Sequence, residues 1–286
     1  MKRRITILAI AAIAVVGLAR GHAWALGTES PGGGLTGTVH DFTGGFGGTL
    51  PRVPIGQCTF CHTPHGAMST TLLWNHELSG QTYGWDTTAT MAGTPYPKFS
   101  DSAWQGPTAK CLSCHDGTVA IGAINWFDSG HGGGGAWAGT PKVSPYIASP
   151  IINKFASLQG LSNNTTTGAS ILSGVHPVAM PYPYNGVPST YNGVTTGANF
   201  IPGQWQTTPV GNVRLYMQTG TNQVTLGWNG AAYAPAAASG LQGAAGIECS
   251  SCHDVHNKLT KDGYLLVGLG TGTGTGYLCN MCHMKY

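Results

Sequence analysis

Apolar residues crowd the first twenty positions and then thin out. Lys2, Arg3 and Arg4 precede a predominantly apolar run at residues 5–18, and Arg20 and the small-residue triplet Ala23-Trp24-Ala25 follow it. That order predicts a secretory signal peptide cut after Ala25, with a mature start at Leu26. The run is 14 residues long, short of the about 20 that span a bilayer. An uncleaved anchor is the alternative. No later stretch is long enough to cross a membrane.

Beyond the signal the patterning is weak. "NVRLYMQ" alternates Val213, Leu215 and Met217 with Arg214, Tyr216 and Gln218. "QVTLGW" follows after a Thr219-Gly220-Thr221-Asn222 turn, so the two predict a hairpin. Ile151, Ile152, Phe155 and Leu158 in "SPIINKFASLQG" share one side of a predicted short helix. "HGGGGAWAGT" and "YNGVTTGANF" read as loops. With 45 glycines and 17 prolines, long regular elements are not expected. "NNTT" at 163–166 offers a weak glycosylation pattern.

Composition narrows the class. Charged residues make up 8% of the chain, against about 25% in ordinary soluble domains. Removing Lys2, Arg3, Arg4 and Arg20 from the 13 basic residues leaves 9 against 10 acidic ones, a net of −1. That excludes a basic nucleic-acid binder. A surface so poor in charge favours association.

The eight cysteines carry the chemistry. They fall into four copies of one spacing: Cys58-Thr-Phe-Cys61-His62, Cys111-Leu-Ser-Cys114-His115, Cys249-Ser-Ser-Cys252-His253 and Cys279-Asn-Met-Cys282-His283. Positions i, i+3 and i+4 share one face of a helical turn. Two thiols there can add to the two vinyl groups of a haem, and the imidazole reaches the iron from the same side. Redox dithiols, all-thiolate zinc sites and structural disulfides are the alternatives. None of them needs a histidine at the same offset four times. The chain is expected to hold four covalent haems c. Export agrees, because this attachment takes place outside the cytoplasm.

Motifs one and two lie within 58–115 and motifs three and four within 249–283, with more than 130 cysteine-free residues between. The expected layout is a signal peptide at 1–25, a region for haems one and two at 26–130, a haem-poor Gly/Thr/Asn/Pro-rich segment at 131–248, and a region for haems three and four at 249–286. The expected fold is a multihaem cytochrome c: mostly coil, with short helices at the motifs and minor β structure, organised around the haems. Residues 136–170 are expected on the outside as a coat of loops.

Each iron needs a second axial ligand. A filled position suits electron transfer; an open one permits substrate chemistry. His22 leaves with the signal. His40, His65, His76, His131, His176 and His256 remain, six for four places, so bis-histidine ligation is preferred to methionine. His65 follows His62 by three residues and His256 follows His253 by three. Neither can reach the far face of the haem its neighbour holds. Each is expected to serve the other haem of its own group. Pro177 holds His176 extended, ready to present its ring. His40 sits in a glycine-flanked arm. The expected distal set is His40, His65, His176 and His256, with His76 and His131 as substitutes. An arm reaching another subunit would make His40 a ligand in trans and propagate an open filament. The other possibility is that it folds back onto its own chain.

"CTFCHTPH…LLWNH", "CLSCHDGTVA", "HPVAM" and "CSSCHDVH" resemble the doubled-CxxCH multihaem cytochromes. With four motifs, an export signal and "VHDF" ahead of the first motif, the chain is similar to the OmcE-type extracellular tetrahaem cytochromes. The likeness covers roughly residues 38–125 and 170–286. It implies a head-to-tail homopolymer, a cytochrome nanowire, that is secreted or held at the cell surface and passes electrons to redox partners or extracellular acceptors. A monomeric periplasmic shuttle, or a subunit feeding electrons to a multihaem reductase, is the alternative. An enzyme is not expected. Every motif ends in histidine, and the nearby carboxylates are few: Glu77, Asp116, Glu248 and Asp254. A catalytic site has to be argued from specific residues.

Overall fold

The computed structural model describes residues 31–38, 40–42, 57–63, 67, 71–84, 103–116, 176–196, 202–229, 240–260, 267 and 278–284, together with the backbone of short strands elsewhere. The signal peptide, the helix expected around 151–158, His65 and His131 lie outside the described residues.

The described α-helices are short and fall at the motifs. α1 (Pro107–His115) contains the second motif. Pro107 starts it at a position where the missing N–H costs nothing. Its last turn closes with the Asp116 amide donating to Leu112 O at 2.9 Å. α2 (Cys249–Cys252) is a single turn made of the third motif. The fourth motif forms a 3-10 turn at Cys279–Met281.

The strands are β1 (Thr82–Gly84), β2 (Thr90–Met91), β3 (Thr94–Pro95), β4 (Phe99–Ser100), β5 (Ala123–Ile124), β6 (Lys142–Val143), β7 (Leu161–Asn164), β8 (Ala169–Leu172), β9 (Met180–Pro181), β10 (Thr190–Tyr191), β11 (Val194–Thr195), β12 (Leu215–Gln218), β13 (Val224–Trp228) and β14 (Ala245–Ile247). Two four-stranded sheets have the orders β4-β1-β8-β7 and β13-β12-β14-β9. In the first, β8 runs parallel to β1. Leu161–Asn164 and Ala169–Ser170, which fall in the segment expected to form an outer coat of loops, therefore belong to strands that extend the sheet from β1.

The hairpin expected at 213–228 is present as β12 and β13, paired Gln218↔Val224 through Leu215↔Trp228. The expected one-sided alternation is not. A bulge between Leu215 and Tyr216 and cover on both faces bury Leu215 and Tyr216 alike. They belong to different cores. Tyr216 joins Tyr83, Trp104, Ala109, Leu112 and Tyr191 in one, against which Cys249 packs. Leu215 joins Tyr182, Leu241, Val267, Met281 and Cys282 in the other. The sheet thus separates a core that supports motifs two and three from one that supports motif four.

"YNGV" at 191–194, expected in a loop, turns a second hairpin, β10 to β11. Asn192 (φ 50°) and Gly193 (φ 75°) both take the left-handed conformation, which the tight two-residue turn requires.

Candidate haem-binding site

In three motifs the histidine amide donates to the carbonyl of the first cysteine: His62 to Cys58 at 2.8 Å, His253 to Cys249 at 3.0 Å, His283 to Cys279 at 2.8 Å. In the second motif the same spacing lies inside α1. One helical turn therefore carries both thiols and the imidazole each time. Among the described residues, which include all eight cysteines, none is in a disulfide, and no group of three or more His, Cys, Asp or Glu converges as a metal site. Burial, followed by the repulsion of neighbouring cysteines, pushes the Cys61, Cys252 and Cys282 thiols up to about 12.

The first motif sits in a turn braced by residues 71–75. Leu72 and Leu73 take φ 63° and 51°, an uncommon backbone for leucine. The Leu72 carbonyl lies 2.6 Å from His62 Nδ1. Donation from Nδ1 leaves the Nε2 lone pair for a metal, the arrangement that fixes the tautomer of a ligating histidine. His176 Nδ1 does the same with Pro177 O at 2.8 Å, and the buried His76 with Glu77 O at 2.9 Å.

Two candidate distal histidines face motif histidines. The rings of His256 and His62 are 6.3 Å apart, with planes within 18°. The rings of His40 and His115 are 6.0 Å apart, at 59°. Imidazole–metal bonds of about 2 Å on either side of one metal place ring centroids about 6 Å apart. His40 Nδ1 is buried without a hydrogen-bond partner among the described residues. Burial first, then His115, His253 and His256, lower its pKa to about 4, so the ring is neutral and able to ligate. The fourth motif has its own neighbour: burial and then the nearby His176 lower the pKa of His283. These residues fit an iron porphyrin held between paired imidazoles.

Two placements bear on the expected ligand pairing. His256 was expected to serve the other haem of its own group; it faces His62, across the groups. Asp254 is the reason. Its carboxylate accepts the amides of His256 (3.3 Å), Lys258 (3.0 Å) and Leu259 (2.9 Å) and pairs with Arg214 at 3.5 Å. The resulting turn presents His256 to His62. Burial opposes ionisation of Asp254, but the Leu259 amide, Arg214, and the Lys258 and His256 amides outweigh it and hold the pKa below its ordinary value.

His40 was weighed as a ligand in trans; it lies against His115 of its own chain. Asn257 docks the arm. Its side-chain carbonyl accepts Gly32 N at 3.2 Å, its amide group donates to Gly34 O at 3.0 Å, and its backbone carbonyl accepts Gly34 N at 3.1 Å. Phe42 stacks on Phe60 at 4.0 Å.

The sequence singles out Asp254 only as a nearby carboxylate and Asn257 not at all, because Arg214, which braces the first, and Gly32 and Gly34, which dock on the second, are distant in the chain. The local signal was present: Asp two residues after a motif's last cysteine favours a side-chain-to-backbone turn.

The chain matches no known protein family and no curated protein. Among the described residues, no helix is long and apolar enough to cross a membrane.

Proposed function

We propose that the chain is a tetrahaem c-type cytochrome that carries electrons outside the cytoplasm. Cys58, Cys61, Cys111, Cys114, Cys249, Cys252, Cys279 and Cys282 would attach the haems. His62, His115, His253 and His283 would bind the irons from one side, and His256, His40 and His176 from the other at motifs one, two and four. His65 is the remaining candidate distal ligand. Haem supplies reversible one-electron exchange at iron; the protein sets spacing, potential and insulation. The observation that carries the reading is the pair of ring separations, 6.3 Å for His62 and His256 and 6.0 Å for His40 and His115. Filled axial positions favour a carrier over an enzyme.

The finer reading is a subunit of a head-to-tail filament, secreted or at the cell surface. It rests on the resemblance to extracellular tetrahaem cytochromes and on the low surface charge. The docking of His40 within its own chain favours a second reading, a monomeric shuttle that needs no neighbour to complete its ligands. Pyridine haemochrome analysis of protein exported by a cell able to attach haem c tests the shared part: four haems per chain are expected, and two or fewer with bound zinc would refute it. Electron cryo-microscopy of the same material separates filament from monomer.

A further inference from the structure

Glu248 sits at the joint between the second and third motifs. It directly precedes Cys249 and is 0% exposed. Donors from three parts of the chain converge on its carboxylate. Oε1 accepts from Trp104 Nε1 at 3.0 Å and from the Tyr191 hydroxyl at 2.7 Å. Oε2 accepts from Thr108 N at 3.0 Å. The Ser251 amide adds a bond through a capping box, and Ser251 Oγ accepts from Glu248 N at 2.9 Å in return. The Thr108 hydroxyl donates to the carboxylate and accepts from Cys249 N at 3.1 Å.

A carboxylate out of water is tolerated only where donors replace its hydration. Here those donors come from α1, from the residues before it, from β10 and from α2. Trp104 and Tyr191 also pack edge to face, with centroids 5.4 Å apart. The backbone leaves room for the clasp: a Cβ on Gly106 would run into Trp104 Nε1 and the Glu248 carboxylate. Directly beside it Cys249 of the third motif packs against the core that includes Ala109 and Leu112 of α1, the helix that carries the second motif.

We propose that Glu248 is a positioning residue for electron passage between motifs two and three: its carboxylate clasps α1 to α2 and fixes where the third motif sits against the second. The two halves of the chain, separated by the long cysteine-free segment, meet here. Tyr191 brings that segment into the same clasp, so its fold and the spacing of the attachment points are linked. The proposal rests on the tetrahaem reading.

The test uses the full-length haem-loaded protein. Glu248→Gln keeps the size, removes the charge and turns one acceptor into a donor facing other donors. The variant is expected to keep four haems and low-spin ferric spectra. Two readouts should move. The spin-coupled fraction of the ferric electron paramagnetic resonance signal, which reports irons held close together, should fall. Amide exchange in 107–116 and 249–253 should quicken several-fold, with 278–284 unchanged. Thr108→Val removes one donor and the Cys249 amide's acceptor without a charge change, and should move both readouts in the same direction by less. A merely structural role would move exchange and leave the spin coupling alone. Wild-type coupling in Glu248→Gln, or in Thr108→Val should the former fail to mature, overturns the proposal. Fewer than four haems in the wild type would instead defeat the tetrahaem reading, and that is seen before any variant is made.

Discussion

The imidazoles of His62 and His256 face each other 6.3 Å apart and nearly parallel, although 193 positions separate them in the chain. One belongs to the first motif; the other follows the third. A haem attached at the first motif and ligated by this pair would therefore draw on distant parts of the chain, which would tie its ligation to the tertiary fold.

Replacing His256 by Met should keep all four haems covalently attached and raise the potential of one of them, because methionine in place of histidine favours the reduced iron. Spectroelectrochemistry reads this directly. An unchanged set of potentials would remove His256 from the ligand set.

Asp254 shapes the turn that presents His256. Asp254→Ala strands three amides and Arg214, and leaving such groups unsatisfied costs about 1–3 kcal/mol each. A loss of about 2–3 kcal/mol in denaturant unfolding is expected after partial rehydration, together with a weakened low-spin signature of one haem. The pKa of Asp254 is depressed in the folded state. Its contribution is therefore present above the ordinary carboxylate range and lost as pH falls through the depressed value. The wild-type minus Asp254→Asn stability difference should shrink on acidification over that window; a difference independent of pH would contradict this.

His40 sets a second acid limit. Free in an undocked arm it takes a proton near 6.5, whereas docked it does so only near 4. Its lowered pKa makes docking fully effective above the higher value, progressively weaker between the two, and lost as pH falls through about 4. Bound iron competes with the proton, so acid titration should release one haem from low-spin ligation reversibly at or below the lower end of that window, and His40→Ala should abolish that step. Dilution should have no effect on His40 ligation, because the arm lies on its own chain. Loss of one low-spin haem on dilution would show that the ligand comes from another subunit.

Much of the candidate site was legible because it is local. The CxxCH turn depends on offsets of three and four residues, and His176 before Pro177 is set by its neighbour. What escaped depends on distant partners. Nothing near His256 says that Arg214 will brace Asp254, and nothing near Cys249 says that Trp104, Thr108 and Tyr191 will meet Glu248. The β10–β11 hairpin is a different case. Its Asn192-Gly193 turn is a strong hairpin signal, obscured by the surrounding loop-like composition. The double burial of β12 arose because two cores flank one strand, which alternation alone does not reveal.

That hairpin offers its own check. Gly193→Ala places a Cβ at φ 75° and should cost about 1–2 kcal/mol. Because Tyr191 lies on β10, amide exchange around Trp104 and Thr108 should also rise. Protection unchanged there would show that the hairpin and the α1–α2 joint are independent.

The most direct measurement is the position of the irons in the haem-loaded protein, by electron cryo-microscopy or by anomalous scattering from crystals. One iron is predicted between the rings of His62 and His256 and another between those of His40 and His115, with each CxxCH pair joined to a macrocycle. Irons lying away from these ring pairs, or zinc held by four thiolates, would contradict the account.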